Sequence, residues 1–267
     1  MWEESLEAAA RRKVVWLVGA AVVVAIAVGG WFWYRSHEAA PAVPVQAAAP
    51  APPPASEAQI SHPIAAEADA AALPALNDSD PVAHDSLAGV IGREPVEQFL
   101  VPQNIVRHIV VTVDNLPRKK LAVELRPVKP TPGQTVTATQ GELTTLSPDN
   151  FARYAPLMRV LEKTDVKALA VVYQRLYPLF QQAYEDLGYP GKYFNDRLVE
   201  VIDQLLQTPE VTTPIQLTQP KVFYEYADPD LENRPAGQKL LIRMGPANER
   251  LIKAKLRDFR AEIVKKK

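Results

Sequence analysis

The sequence predicts a mainly α-helical protein that consists of a single-pass transmembrane helix, a disordered Pro/Ala-rich linker, and a compact, mostly helical domain with a small β-hairpin. Three observations predict this order. Residues 14–34 are apolar and uncharged, residues 35–72 are rich in proline and alanine, and residues 73–267 place many apolar side chains at helical spacing. Residues 1–13 form a short N-terminal segment before the predicted transmembrane helix.

The apolar run, VVWLVGAAVVVAIAVGGWFWY, has the length of a membrane span. At about 1.5 Å per residue, a helix of these residues is roughly 30 Å long, which matches the hydrocarbon thickness of a bilayer. Its aromatic end, residues 31–34, is typical of a membrane interface. A cleaved signal peptide has a shorter apolar region. The sequence therefore favours an uncleaved anchor, with a cleaved signal or a buried soluble helix as alternatives.

Basic residues flank the run unequally. Arg11, Arg12 and Lys13 precede it, whereas Arg35 is followed by no further lysine or arginine until Arg93. Lysine and arginine near a membrane span tend to remain on the cytoplasmic side. We therefore expect residues 1–13 to be cytoplasmic and the C-terminal domain to lie across the membrane.

Residues 35–72 alternate proline with alanine and contain few large apolar residues. Such a segment buries too little apolar surface to offset its ordering entropy, and its prolines favour extended conformations. At about 3.1 Å per residue its reach is on the order of 100 Å. We interpret it as a flexible spacer; a PxxP ligand around residues 50–54 is the alternative.

Composition excludes several classes of function. The full chain has a formal net charge of -1 and no cysteine. Disulfides and cysteine-ligated metals are therefore excluded, and near neutrality argues against nucleic-acid binding. His84 and His108 fit no zinc-protease pattern, and no P-loop, G-x-G-x-x-G or G-x-S-x-G string occurs. We expect no cofactor and no metal.

The domain begins with short helices and continues with β-favouring segments. Ser79 or Asp80 is a suitable N-cap for the first helix. The string IVVTV at 109–113 is rich in β-branched residues and leaves a strand open as the alternative to a helix. Thr-rich runs around Gly141 predict the hairpin. The predicted elements are helices over residues 80–91, 94–100 and 102–113, and β segments over residues 121–125, 135–139 and from Gly141 to Leu146.

The second half of the domain carries the clearest helical signals. Ser147 followed by Pro148 is typical of a helix start, and Thr164 or Asp165 can cap the next helix, which Gly188 ends. Apolar residues of that helix recur every three or four positions and predict a buried stripe of Val166, Leu169, Tyr173, Leu176, Phe180, Tyr184 and Leu187. The remaining predictions are helices over residues 148–162, 165–187, 194–207, 238–244 and from Pro246 onwards, with short extended segments at 215–217 and 222–224.

Three acidic residues, Asp196, Glu200 and Asp203, fall on one face of the helix predicted over 194–207. Paired carboxylates are the catalytic groups of glycoside hydrolases. A solvated or salt-bridged helix face is the alternative, and it is the more common one. In ADPDLEN, the acidic residues alternate as in a calcium loop, but the required glycine is missing. We therefore interpret Asp228 as a helix cap.

Four strings together resemble a known bacterial family: VDNLPR at 113–118, NFARY at 150–154, LYPLFQQAYEDLGYP at 176–190 with YFNDRLVEVID at 193–203, and GQKLLIRMGPAN at 237–248. The resemblance is to domain of unknown function family 3014, and it extends over about residues 73–260. It implies a membrane segment and a proline-rich linker in Gram-negative bacteria, hence the inner membrane and the periplasm. It implies no activity.

Polar donors in these strings suggest where a ligand could bind. The candidate residues surround the predicted helix break at Gly245 or lie on neighbouring helices, and a structural network of buried arginine and tyrosine is the alternative. The candidates are Arg153, Tyr154, Arg197, Gln238, Lys239, Arg243 and Asn248.

The leading hypothesis is a non-enzymatic binding or scaffolding protein, anchored in the bilayer by residues 14–34, whose periplasmic domain binds another envelope protein or a cell-wall component. One alternative is a cell-wall glycan or peptide hydrolase that uses the carboxylates of the 194–207 helix. The other is a self-associating membrane scaffold.

Overall fold

In the computed structural model, the described residues are 60–64, 73–212 and 214–265. The predicted N-terminal segment and transmembrane helix, residues 1–34, lie outside this part of the chain, as does most of the predicted linker. None of the helices in the described part is both long and apolar enough to cross a membrane.

Helices dominate the described chain, as the sequence predicts. Asp165 caps the longest helix by accepting hydrogen bonds from the N–H groups of Lys167 and Ala168, and Asp228 caps a short helix in the same way through Asp230. The helices are α1 (Asp80–Ile91), α2 (Arg93–Phe99), α3 (Ile105–Asn115), α4 (Asp149–Ala152), α5 (Ala155–Lys163), α6 (Val166–Asp186), α7 (Phe194–Leu206), α8 (Pro229–Glu232), α9 (Ala236–Met244) and α10 (Pro246–Ile263).

Helix α6 is the centre of the main hydrophobic core. It packs against α1, α3, α7 and α10. The middle of the predicted stripe is buried, including Tyr173, Leu176, Phe180 and Tyr184, whereas Leu187 at the end of the helix is 37% exposed. Aromatic rings pack on each other along this face; the Phe180 and Phe194 rings, for example, are stacked with centroids 5.9 Å apart.

A four-stranded antiparallel sheet covers a second, smaller core. Its strands are β1 (Thr137–Gln140), β2 (Leu143–Leu146), β3 (Gln216–Thr218) and β4 (Glu225–Tyr226), in the order β1-β2-β3-β4. The predicted hairpin is confirmed as β1 and β2. The extended segment predicted over 215–217 corresponds to β3, which pairs with β2. The segment predicted over 222–224 is not a strand; the chain bends there, and β4 follows at Glu225–Tyr226 and pairs with β3. The sequence did not indicate either pairing.

Two local predictions need correction. Segment 121–125 is not a strand: Val123–Leu125 forms a 3₁₀ turn, and the exposed Val123 lacks the packing that favours β structure. Residues 109–113 are helical as predicted and belong to α3, so the strand alternative is wrong. The helix predicted over 148–162 is interrupted, because Pro156 has no N–H for the carbonyl group four residues earlier.

The predicted N-cap of α1 is also wrong. Ser79 and Asp80 make no side-chain cap for that helix. Instead, the Asp80 carboxylate accepts hydrogen bonds from the N–H groups of Asn104 and Ile105, at 2.7 and 2.8 Å, where helix α3 begins. The carboxylate thus satisfies free N–H groups of a neighbouring helix rather than those of its own.

Candidate functional site

An open polar pocket lies where α3 and α6 end and α7 begins. It has a volume of about 440 Å³. Helix α3 contributes one acidic residue, α6 contributes a tyrosine from its last turn, and the turn between α6 and α7 and the first part of α7 contribute the rest. The lining residues of this tyrosine pocket are Asp114, Tyr184, Tyr189, Lys192, Tyr193, Asp196, Arg197 and Glu200.

The turn between α6 and α7 depends on two glycines. Gly188 and Gly191 adopt φ angles of +109° and +73°, which side-chain-bearing residues rarely accept. They reverse the chain within a few residues, so that Tyr189 and Tyr193 both face the pocket. Tyr189 stacks on Tyr184 with ring centroids 4.6 Å apart. The pocket wall is therefore aromatic and fixed by the turn.

A buried carboxylate organises the charged part of the pocket. The Asp114 side chain is 2% exposed and lies 2.5 Å from Arg118 and 3.2 Å from Arg197. The Tyr189 hydroxyl donates a further hydrogen bond to it at 3.2 Å. Burying a carboxylate without partners is costly. The two guanidinium groups and the hydroxyl therefore both stabilise the Asp114 charge and fix the geometry.

Arg197 connects this network to the open side of the pocket. Its guanidinium group donates to the main-chain carbonyl of Asp114 at 3.2 Å and to the Glu200 carboxylate at 2.9 Å. Burial alone would lower the pKa of Arg197, but the hydrogen bond and the charges of Glu200 and Asp114 raise it overall. Burial raises the pKa of Tyr184. The pocket therefore presents a permanent cation and a neutral hydroxyl.

The three carboxylates predicted on one face of α7 all have strong donors. Asp196 accepts main-chain N–H groups of segment 60–64, Glu200 pairs with Arg197, and Asp203 pairs with Arg260 at 2.6 Å. The face is thus salt-bridged, as in the alternative interpretation.

Arg197 is the one predicted ligand-binding residue that lines the tyrosine pocket. Most of the other predicted ligand-binding residues lie near Gly245, where α9 ends and α10 begins. We call residues 150–154 and 244–248 the Gly245 junction. A cavity of about 290 Å³ adjoins this junction and is lined in part by Phe151, Ala247 and Asn248.

Polar side chains at the Gly245 junction bind main-chain carbonyl groups. Arg153 donates to the carbonyls of Pro132 and Gly133 at 3.1 and 2.7 Å, and Asn248 donates to those of Phe151 and Met244 at 3.1 and 2.8 Å. Carbonyls at helix ends lack intrahelical partners. These donors therefore hold chain segments together.

The buried residues of the junction have a similar role. Asn150 is fully buried and donates to the carbonyl of Arg243 at 3.1 Å. The Tyr154 ring is buried against Met158 and Met244. Arg243 lies over the Tyr226 ring, with its Cζ atom 5.4 Å from the centroid. These contacts match the structural network that the sequence left open as the alternative.

The remaining two predicted residues lie on α9 and point to different neighbours. Gln238 is buried and donates to the carbonyl of Gln204 at 2.8 Å. Lys239 pairs with Glu232 at 2.6 Å. Burial would raise the pKa of Glu232, but hydrogen bonds from Lys239 and from the Tyr226 N–H lower it overall.

Half of the residues that line the tyrosine pocket stood out in the sequence, namely Tyr184, Asp196, Arg197 and Glu200. Asp114, Tyr189 and Lys192 did not stand out, because the pocket forms only when the ends of three helices meet. One signal was available. Asp114 is an acidic residue on the face of α3 that also carries the buried Val106 and Val110, and an acidic residue at such a position requires a positive partner.

The pocket and the fold define a mostly helical domain with a polar, aromatic site between helix ends. A family model described as "Protein of unknown function (DUF3014)" matches residues 105–260. The chain belongs to this family, which confirms the resemblance in the sequence. The match includes every residue that lines the tyrosine pocket and begins after segment 60–64. No curated protein and no solved structure matches the chain.

Proposed function

We propose that this protein is a non-enzymatic binding module of the cell envelope and that the tyrosine pocket is its binding site. Residues 14–34 anchor it in the inner membrane, with the N-terminus in the cytoplasm. The Pro/Ala-rich linker holds the domain in the periplasm at a distance from the bilayer. There the domain binds another envelope protein or a cell-wall component.

The pairing of the pocket's charges is the observation that carries the proposal. Asp114 and Glu200 both bind Arg197, and Asp114 binds Arg118 as well. Both carboxylates are therefore already occupied as acceptors in ion pairs. They are well suited to hold arginine and tyrosine donors in place for a ligand. The geometry therefore supports binding over the hydrolase alternative.

The same residues indicate the kind of ligand. Acidic and basic groups nearly balance around the pocket, which does not favour a highly charged ligand. Tyrosine rings and hydroxyls provide apolar faces next to hydrogen-bonding groups. A ligand with amide or hydroxyl groups and little net charge fits this wall best. Both peptides and cell-wall components have this chemistry.

Recovery of the partner from crosslinked cells tests the proposal. Glu200 is 67% exposed at the pocket, so Glu200→Arg changes the binding surface with little effect on folding. The matched control is Glu142→Arg, at the exposed turn of the β1–β2 hairpin. We expect wild type and the control to recover the same envelope partner and Glu200→Arg to lose it. Equal recovery by all three proteins would show that the pocket is not the binding site.

A further inference from the structure

Segment 60–64, with the sequence ISHPI, lies against the start of α7 and is held mainly through its main chain. The N–H groups of Ser61 and His62 donate to the two Asp196 carboxylate oxygens at 3.0 and 2.7 Å. The Ile64 N–H donates to the Tyr193 hydroxyl oxygen at 2.7 Å. Main-chain donors are common to all peptides apart from proline.

The carbonyl groups of the segment are also bound. The Asn195 side-chain amide donates to the His62 carbonyl at 2.9 Å, and the Tyr193 hydroxyl lies 3.5 Å from the Ile64 carbonyl. His62 Nδ1, which lies 3.1 Å from Asp196 Oδ1, makes the side-chain contact among these hydrogen bonds. Most of these hydrogen bonds therefore involve the main chain of the segment rather than its side chains. We call Tyr193, Asn195 and Asp196 the clamp.

Contacts outside segment 60–64 hold Asn195 of the clamp in place. Asn195 is fully buried. The Tyr173 hydroxyl donates to the side-chain oxygen of Asn195 at 3.1 Å. The Asn195 side-chain amide also donates to the Ile263 carbonyl at 3.3 Å. Burial raises the pKa of Tyr173 well above its usual value, so its hydroxyl remains a donor. A binding site whose groups are already oriented loses less conformational entropy when a ligand binds to it.

Among the side chains of segment 60–64, that of Ile64 makes an apolar contact with the domain. Ile64 packs against the main hydrophobic core, whereas Ser61 and Pro63 are exposed. Pro63 lacks an N–H group and stands between the two residues whose N–H groups are bound. The bound pattern is thus a peptide that bends at Ser61 and His62 and has an aliphatic residue directly after an exposed proline.

The clamp and the tyrosine pocket share residues. Tyr193 and Asp196 line the pocket and also bind segment 60–64. A ligand that binds the pocket through these two side chains therefore competes with the segment. The hydrogen bonds of the segment are each worth only about 0.5–1.5 kcal/mol, so another peptide of the same chemistry can replace it.

We propose that the clamp is a binding site for a peptide of an envelope partner, and that the chain's own segment 60–64 is the occupant that this peptide replaces. The inference rests on the proposed binding function and names the class of its ligand. The partner peptide binds through its main-chain N–H and C=O groups and places an aliphatic side chain where Ile64 lies. Release of the segment also lengthens the linker between membrane and domain.

A peptide-binding experiment with the full-length protein in detergent tests this proposal. The probe is a fluorescent synthetic peptide with the sequence of residues 57–67, and binding is followed by fluorescence anisotropy. The double variant His62→Pro/Ile64→Pro removes two main-chain N–H donors from the resident segment. We expect the double variant to bind the probe at least about tenfold more tightly than wild type, because the resident segment competes at an effective concentration on the order of millimolar.

Matched peptides show whether the main chain is what the clamp binds. A peptide methylated on the main-chain nitrogens at the His62 and Ile64 positions retains every side chain, and we expect it not to bind. A peptide with alanine at the His62 position loses one side-chain hydrogen bond, and we expect its affinity to fall by less than about tenfold. In the double variant, the further change Tyr193→Phe should weaken binding of the unmodified probe by about three- to tenfold.

Three results would overturn the inference: equal binding of the probe by wild type and the double variant, absence of binding to the double variant, and undiminished binding of the methylated peptide. The experiment needs no envelope partner. The peptide-binding experiment can therefore fail while the crosslinking test of the binding function succeeds, and the crosslinking test can fail while the peptide-binding experiment succeeds.

Discussion

The tyrosine pocket and the Gly245 junction are built from similar residues, yet their polar groups have different partners. Both regions lie where one helix ends and another begins, and both contain arginine and tyrosine. In the pocket, Arg197 binds two carboxylates at an open surface, in addition to the main-chain carbonyl of Asp114. At the junction, Arg153 and Asn248 bind main-chain carbonyls. Donors bound to carbonyls connect chain segments, whereas donors held by carboxylates beside a cavity remain oriented toward a ligand.

The two regions also differ in how closely the chain is packed around their glycines. A Cβ atom on Gly245 would lie 2.4 Å from Cγ of Phe151, whereas a Cβ atom on Gly191, in the pocket turn, would meet no atom within 4 Å. Both glycines have positive φ angles. Their comparison therefore separates close packing from backbone conformation.

The largest effect is expected for Gly245→Ala. The methyl group combines an unfavourable φ of +89° with overlap of the Phe151 ring, so we expect a loss of about 3 kcal/mol or more in the free energy of unfolding. Gly191→Ala has only the backbone cost and should lose about 1–2 kcal/mol. Urea unfolding of both variants measures the difference. Equal losses would contradict the account of the junction as the more tightly packed region.

Asp114→Asn tests the charge network below the pocket. The substitution removes the charge of a buried carboxylate that pairs with both Arg118 and Arg197, and we expect a loss of about 2–3 kcal/mol in the free energy of unfolding. The control Asp186→Asn breaks an exposed pair with Arg107 and should cost less than about 1 kcal/mol. Thermal unfolding at low and high salt gives both values. A loss as small as that of the control would show that Asp114 does not organise the pocket.

Asn248→Ala tests whether the Gly245 junction stabilises the fold without binding the partner. It removes two hydrogen bonds to main-chain carbonyls at the junction, and we expect a loss of about 1–2 kcal/mol in the free energy of unfolding. Recovery of the crosslinked envelope partner should remain that of wild type. Loss of the partner by a variant that is still folded would assign binding to the junction instead.

The smallest effect is a pH dependence from Glu232, beside the junction. Its pKa is lowered in the folded protein, so its contribution to stability is present above the pKa of the unfolded chain and disappears as the pH falls through the folded value. We expect this contribution to be less than about 1 kcal/mol. Unfolding free energies from pH 6 to pH 3 should fall less steeply for Glu232→Gln than for wild type. Identical slopes would contradict the pairing with Lys239.

Helices with strong local signals were predictable from the sequence, and contacts between distant segments were not. The stripe on α6 and its Asp165 cap follow from spacing and capping preferences. The pairing of β2 with β3 joins residues about 70 positions apart, which no local pattern encodes. The break before α5 could have been predicted from Pro156, because proline interrupts helices in a known way.

The candidate site was predictable only in part, for the same reason. Arg197 was correctly placed among polar candidates that could face a cavity, but its partner Asp114 lies more than 80 residues earlier in the chain. The i,i+4 spacing of Glu249 and Lys253 on α10 is typical of a helix ion pair, but the sequence does not show that this pair, 2.6 Å apart, is buried. Burial is the largest influence on Glu249 and raises its pKa. Such pairs depend on which helix faces meet.

Site-specific photo-crosslinking in living cells tests most directly whether the tyrosine pocket, rather than the Gly245 junction, binds the envelope partner. A photoreactive amino acid is placed at Lys192, which lines the pocket, or at Ala247, which is exposed beside the junction. We predict a discrete crosslinked product from position 192 that Glu200→Arg abolishes, and none from position 247. A product from position 247 alone, or one from position 192 that Glu200→Arg leaves unchanged, would contradict the account.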